Sequence, residues 1–282
     1  MMDLDGTLLD SRGTLWPENH EAMRRAANDG IALAIVTGRR RSTFRAERDR
    51  LTDCRFRASV SNGAVLLAPD NETIERVHPL EWEPVLELLS TISPKSAGRC
   101  LAVTVPGEGD THEVDPPDAL IITSSGDYYY APSLCEPELQ EVREENALTR
   151  TSAMSRTLVH AALHVPDEST AGDVVRRAEA LCPDATAYAT RPPKAAGVLV
   201  DIVAGGGKAL AVRDLAASLG VAPEAVGAIG DGASDVSLLE AAAHRYAIAQ
   251  SELAAVFPSA VPVSGRSAVA EALSSFARDV SG

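Results

Sequence analysis

Apolar runs and helical stripes alternate along the first eighty residues. Met2-Asp3-Leu4-Asp5 reads as the last piece of a strand. Glu18 to Asn28 has helical spacing, begins just after Pro17 and ends before Gly30. Ile31 to Val36 is a continuous apolar run, as expected of a strand buried on both faces. Arg41 to Leu51 is charged and predicts a helix. Phe56 to Val60 and Ala64 to Leu67 predict two further strands around the turn dipeptide Asn62-Gly63.

The C-terminal part repeats the alternation. A strand is predicted over Val198 to Val203, and an amphipathic helix over Lys208 to Leu219, closed by Gly220. Then come a strand at Val226 to Ile229, a helix at Val236 to Ala243, and short strands at Tyr246 to Ala249 and Ala260 to Val263. Ala268 to Val280 closes the chain as a helix. Such alternation predicts a parallel sheet covered on both faces.

The middle differs. Residues 80–195 hold eleven of the 17 prolines. Glu81 to Ile92 and Thr170 to Leu181 have helical spacing, Cys100 to Val105 and Leu158 to Val165 read as strands, and Gly107 to Asn146 is loop-rich. The expected fold is therefore α/β. A doubly wound, Rossmann-like parallel-sheet core spans residues 1–79 and 196–282, and an α+β domain is inserted at 80–195. The length of 282 residues agrees with about two domains.

Composition narrows the function. The net charge of −14 argues against a nucleic-acid partner, which needs a basic stripe, and against an anionic membrane surface. It leaves a small phosphorylated partner open, because local donors and a metal outweigh a distant acidic surface. Cys54, Cys100, Cys135 and Cys182 form no CxxC pair, so buried free thiols in a reducing cytoplasm are expected. No apolar run is long enough to cross a membrane, and Met1-Met2-Asp3 carries no signal-peptide pattern. The expected location is cytoplasmic.

Four polar clusters stand at predicted strand ends, where open α/β sheets bind ligands. Asp3 and Asp5, at i and i+2 on a strand, point the same way. One carboxylate suits attack on phosphorus, and the other suits proton transfer to the leaving oxygen and from water. Crowded carboxylates also need a cation. Thr37-Gly38 offers a hydroxyl and free N–H groups to a phosphate oxygen. The arginines at 39, 40 and 41 read as solvated charges. Asp231 and Asp235 add two carboxylates, and oxygen donors without nearby His or Cys favour Mg²⁺ over zinc. Gly205-Gly206-Gly207-Lys208 opens a helix but lacks the P-loop pattern, so Lys208 is offered as a point charge.

Taken in order, these clusters resemble the haloacid-dehalogenase-like phosphatase superfamily. Asp3-Leu4-Asp5-Gly6-Thr7 matches its DxDGT motif. Asn62-Gly63-Ala64 and the insertion between Thr37 and Lys208 are similar to the Cof-type sugar-phosphatase branch, which carries a large cap there. The resemblance implies Asp3 as nucleophile and Mg²⁺ ligand, with Asp5 as general acid/base that gives the metal its backbone carbonyl. It implies Thr37, Gly38, Lys208 and Ser234 at the phosphoryl group. Asp231 would be a metal ligand, and Asp235 a ligand through water or a partner of Lys208. The implied activity is Mg²⁺-dependent hydrolysis of a small phosphate monoester such as a sugar phosphate.

Two departures matter. Ser234 stands where the family usually has Asn, which puts one phosphate contact in doubt. Only Met1 and Met2 precede Asp3, where the family has several apolar residues, so the true start is expected upstream or the chain trimmed. Competing functions are a phosphotransferase or mutase on the same core, and a ligand-binding member without turnover. Other features read as packing: His160 and His164, Tyr128 to Tyr130, Trp16 and Trp82. His20, His78, His112 and His244 form no recognisable constellation.

Overall fold

The structure, a computed structural model, describes residues 1–39, 41–91, 100–104, 119–122, 157–191 and 197–281. The chain divides into two units, residues 1–77 with 206–282, and residues 78–205.

In the first unit α1 (Pro17–Asn28) leads to β1 (Ala34–Val36), α2 (Arg41–Arg50), β2 (Arg57–Val60), β3 (Val65–Leu67) and β4 (Ile74–Val77). After the insertion come α5 (Lys208–Leu219), β10 (Gly227–Gly230), α6 (Val236–Glu240), β11 (His244–Ile248), α7 (Glu252–Val256), β12 (Val261–Val263) and α8 (Ala268–Ser281). Strands β1 and β2 pair in parallel, as do β10, β11 and β12, while β3 and β4 add an antiparallel edge. Met2 joins the two groups by bridging Ile35 and Ile229, both in parallel. The expected strand at residues 2–5 is thus a bridge at the centre of the sheet.

Strand alternation sorts the two faces of this sheet. Ala34, Val36 and Ala228 pack with Ala211, Leu215 and Leu238 from α5 and α6. On the other face α8 lies against β10, and a Cβ built on Gly227 would meet the Phe276 ring at 2.7 Å. Helix α1 packs on α8, tied by the Ala270 N–H donating to the buried Asn19 side chain. Helices therefore cover both faces, as the doubly wound expectation requires. The apolar run at Ile31–Val36 yields strand only from Ala34, and β4 was not anticipated.

The second unit holds α3 (Trp82–Thr91), β5 (Cys100–Thr104), β6 (Ala119–Ile122), β7 (His160–Val165), α4 (Glu168–Leu181), β8 (Ala185–Thr190) and β9 (Val198–Ala204). Its antiparallel sheet has the order β6-β5-β7-β9-β8. Val198, Val200 and Ile202 on one face pack with Val85, Leu88, Val174 and Ala178 from the two helices. The opposite face carries a hydrogen-bonded set. His160 Nε2 lies 2.7 Å from Asp201 Oδ1, and the Thr190 hydroxyl donates to Asp201 Oδ2.

One expectation is corrected here. The strand at Val198–Val203 was assigned to the core, with a boundary at 196. It belongs instead to the inserted unit, because its edges pair with β7 and β8, and the chain returns to the core at Gly206. Within the loop-rich stretch Gly107–Asn146, Ala119–Ile122 forms a strand paired with β5. The remainder of that stretch, with His112, Cys135 and Tyr128 to Tyr130, lies outside the described residues. Cys54 and Cys182 are buried free thiols. Among the described residues no helix is long and apolar enough to cross a membrane.

Candidate active site

Register brings the polar clusters together. With Met2 beside Ile35 and Ile229, Asp3 emerges between the C-terminal ends of β1 and β10, and its N–H donates to the Ile229 carbonyl. Thr37-Gly38 follows β1 and Asp231 follows β10. The chain leaves Asp3 sharply because Gly6 holds φ +88°, and a Cβ there would fall 2.1 Å from Asp231 Oδ2. Only glycine tolerates both conditions.

Lys208, the first residue of α5, is 2 % exposed. Its Nζ donates to Asp3 Oδ1 at 2.5 Å and to Asp235 Oδ1 at 2.6 Å. The remaining Asp235 oxygen accepts the N–H groups of Asp231 and Gly232, which fixes the turn at Ala233–Asp235. Thr7, given no role from sequence, donates its hydroxyl to Asp231 Oδ1 at 3.0 Å. The start of α5 is braced by the turn Ser61–Gly63. Gly63 has φ +94°, and a Cβ on it would stand 2.4 Å from the Gly207 carbonyl oxygen. The Asn62 amide, also unanticipated, is buried against Gly38, and the Asn62 N–H donates to the Thr37 carbonyl.

Asp3, Asp231 and Asp235 each bring a carboxylate oxygen within 4.8 Å of the others. Burial, and then the Asp235 charge, push the Asp3 carboxyl up to about 8, although Lys208 opposes this. Burial and Asp235 likewise raise Asp231 to about 6. For Lys208 burial disfavours the charge, but Asp235 and Asp3 outweigh it and hold the ammonium protonated above its ordinary range. Three acids crowd one cation, and the upward shifts of Asp3 and Asp231 reflect negative charge that Lys208 alone does not balance. That charge and the all-oxygen donor set fit a hard divalent cation such as Mg²⁺.

Asp5 is placed otherwise. Its carboxylate is half exposed and turned to Arg39, which donates from Nε and Nη2 at 2.8 and 2.7 Å. Arg39 is therefore not a solvated charge. Thr37 is buried, and its Oγ1 accepts the Arg39 N–H at 3.1 Å. Ser234 lies partly exposed in the turn before Asp235. Asp10, three residues after Thr7, caps a turn by accepting the N–H groups of Arg12 and Thr14. A second cluster at His20, Asp53 and Cys54 also brings donor atoms within 4.8 Å, with the Arg24 guanidinium 3.5 Å from Asp53.

A parallel α/β core with acids gathered at its strand ends is the arrangement that the sequence resemblance implies. The chain belongs to the haloacid dehalogenase-like hydrolase family, whose sequence profile matches residues 1–256. The resemblance read from Asp3–Thr7 and from the position of the insertion is borne out. The chain is 26 % identical over 267 residues to the 5-amino-6-(5-phospho-D-ribitylamino)uracil phosphatase YwtE of Bacillus subtilis, covering 88 % of this chain and 86 % of that one. Among solved structures it is similar to a haloacid dehalogenase-like hydrolase from B. subtilis, with TM-score 0.70 and 18 % identity over 97 % of this chain and 98 % of that one. It is also similar to the subclass IIB sugar phosphatase BT4131, with TM-score 0.70 and 16 % identity over 98 % and 97 % of the two chains. At these identities the structural likeness is one of fold.

Proposed function

We propose that this hydrolase is a Mg²⁺-dependent phosphatase that hydrolyses a small phosphate monoester through an aspartyl-phosphate on Asp3. The carrying observation is the cluster of buried Asp3, Lys208 and Asp235 with the part-buried Asp231, three acids gathered around one cation. The phosphatase YwtE and the sugar phosphatase BT4131 lend support as relatives in sequence and in fold.

In the first half-reaction an Asp3 oxygen forms a bond to phosphorus while the bond from phosphorus to the leaving oxygen breaks. Asp5 gives the departing oxygen its proton. In the second half-reaction a water oxygen attacks phosphorus, the bond to Asp3 breaks, and the water's proton passes to Asp5. Lys208 orients Asp3 and offsets negative charge, while the Thr37 hydroxyl and the Gly38 N–H hold phosphoryl oxygens, with Ser234 at the rim. Phosphoryl transfer needs mostly such positioning and charge neutralisation. Asp3 and Asp231, with the Asp5 backbone carbonyl and with Asp235 through water, would hold Mg²⁺, which would supply charge to draw the phosphoryl group and Asp3 together.

The substrate is a small phosphorylated metabolite. The buried free thiols Cys54 and Cys182 support a reducing, cytoplasmic setting. Acid quenching during turnover of a phosphate-labelled substrate, followed by peptide mass spectrometry, tests the intermediate. Label on the Asp3 peptide is expected, and a labelled protein without that adduct would sink the assignment.

A further inference from the structure

The two arms of the Arg39 side chain are spoken for by different carboxylates. Nε and Nη2 take one Asp5 oxygen each, while Nη1 donates to Glu47 Oε1 at 2.9 Å and reaches the Thr43 carbonyl at 3.4 Å. Glu47 is nearly buried and is also held by Arg50 at 2.6 Å. The neighbouring arginines of α2 behave differently: Arg45 and Arg48 turn to Glu72 and Asp49 at the surface. Exposed ion pairs contribute little to stability. A half-exposed acid gripped through both oxygens, on a fork anchored from behind, therefore calls for another explanation.

We propose that Arg39 is the positioning residue for the general acid/base, holding the Asp5 carboxylate in one orientation through an Asp5–Arg39–Glu47 relay. This rests on the phosphatase reading. A bidentate guanidinium sets the plane of a carboxylate as well as its place. Each Asp5 oxygen keeps a further lone pair, so the acid can still take a proton from water while it is held. Because the Arg39 N–H also donates to Thr37 Oγ1, one short turn aligns the acid/base and a phosphoryl ligand together.

The test compares leaving groups. Arg39→Ala, Arg39→Lys and Glu47→Gln are assayed with Mg²⁺ on p-nitrophenyl phosphate and on glycerol phosphate, beside Asp5→Asn and Asp3→Asn. p-Nitrophenolate departs without a proton, so its release needs no Asp5, whereas attack by water does. Arg39→Ala is expected to give a burst of about one p-nitrophenolate per site, followed by slow turnover, as Asp5→Asn does. On glycerol phosphate it should lose at least about 10-fold in kcat with little change in KM, within the range of acid–base catalysis. Lysine should restore part of the rate, and Glu47→Gln should show the same pattern more weakly.

Equal losses on both substrates without a burst, or unchanged kinetics, would overturn the role of Arg39. If Arg39→Ala fails to fold, the lysine and Glu47→Gln variants decide by the same criteria. Turnover by Asp3→Asn would instead overturn Asp3 as the nucleophile, and a native chain that releases phosphate from neither substrate would overturn the phosphatase reading, so these failures are distinguishable from a failure of the Arg39 role.

Discussion

Lys208 and Asp3 lie 205 residues apart in the chain and meet at 2.5 Å, both buried. The same ammonium holds Asp235 at 2.6 Å. Removing one member of a buried ion pair leaves the others desolvated and unpaired, which costs about 3–5 kcal/mol. Lys208→Met should therefore lower unfolding stability by that order in urea and abolish turnover. A loss below about 1 kcal/mol would mean that the lysine is not paired in this way.

The raised acids make metal binding depend on pH. Asp3 titrates near 3.8 when unfolded and at about 8 when folded without metal; Asp231 rises to about 6. Between those values the folded state keeps protons that the unfolded chain has released, so raising pH favours unfolding. The metal-free protein should lose stability from these groups between about pH 4 and 8. Mg²⁺ competes with those protons, so its stabilisation should grow over the same range. Thermal melts with and without Mg²⁺ at pH 5.5 and pH 8 check this. An equal shift at both would contradict it, and Asp3→Asn should flatten the metal-free trend.

Gly6 sits against the cluster with φ +88°, and a Cβ there would collide with Asp231 Oδ2. Gly6→Ala must displace that carboxylate and strain the backbone, at about 1–3 kcal/mol for the strain alone. We expect Mg²⁺ affinity to fall at least about 10-fold, by calorimetry, in line with losses seen when metal-site support is removed. Unchanged affinity would place Asp231 outside the metal site.

Ser234 is the departure from the family pattern at the site. An asparagine there adds reach and an amide donor. One hydrogen bond gained, about 1 kcal/mol, corresponds to roughly fivefold in binding. Ser234→Asn should lower KM by about that factor with the fold intact. An unchanged or higher KM would show that the serine is matched to its own substrate.

Much of the site was legible because each part is a short motif fixed to a strand end. Asp3, Lys208, Asp231 and Asp235 were all found that way, and one hydrogen-bonded cluster gathers them. Arg39 was not legible: its partner Asp5 lies 34 residues away, and a run of three arginines gives no local sign of which one holds Asp5. Strand β9 was misplaced for a related reason. Val198–Ala204 carries the apolar run of a buried strand, but an apolar run does not say which sheet it joins. Its partners β7 and β8 appear only when the chain folds. Met2, read from the sequence as the end of a strand, does make the central connection, through single bridges to Ile35 and Ile229.

The most direct test of the central claim is phosphate release from a panel of phosphate monoesters, with and without Mg²⁺, for the native chain and for Asp3→Asn. The account predicts release that requires both the metal and Asp3, from at least one small phosphorylated metabolite. Release that persists in Asp3→Asn, or a folded native chain that releases phosphate equally well without Mg²⁺, would contradict it.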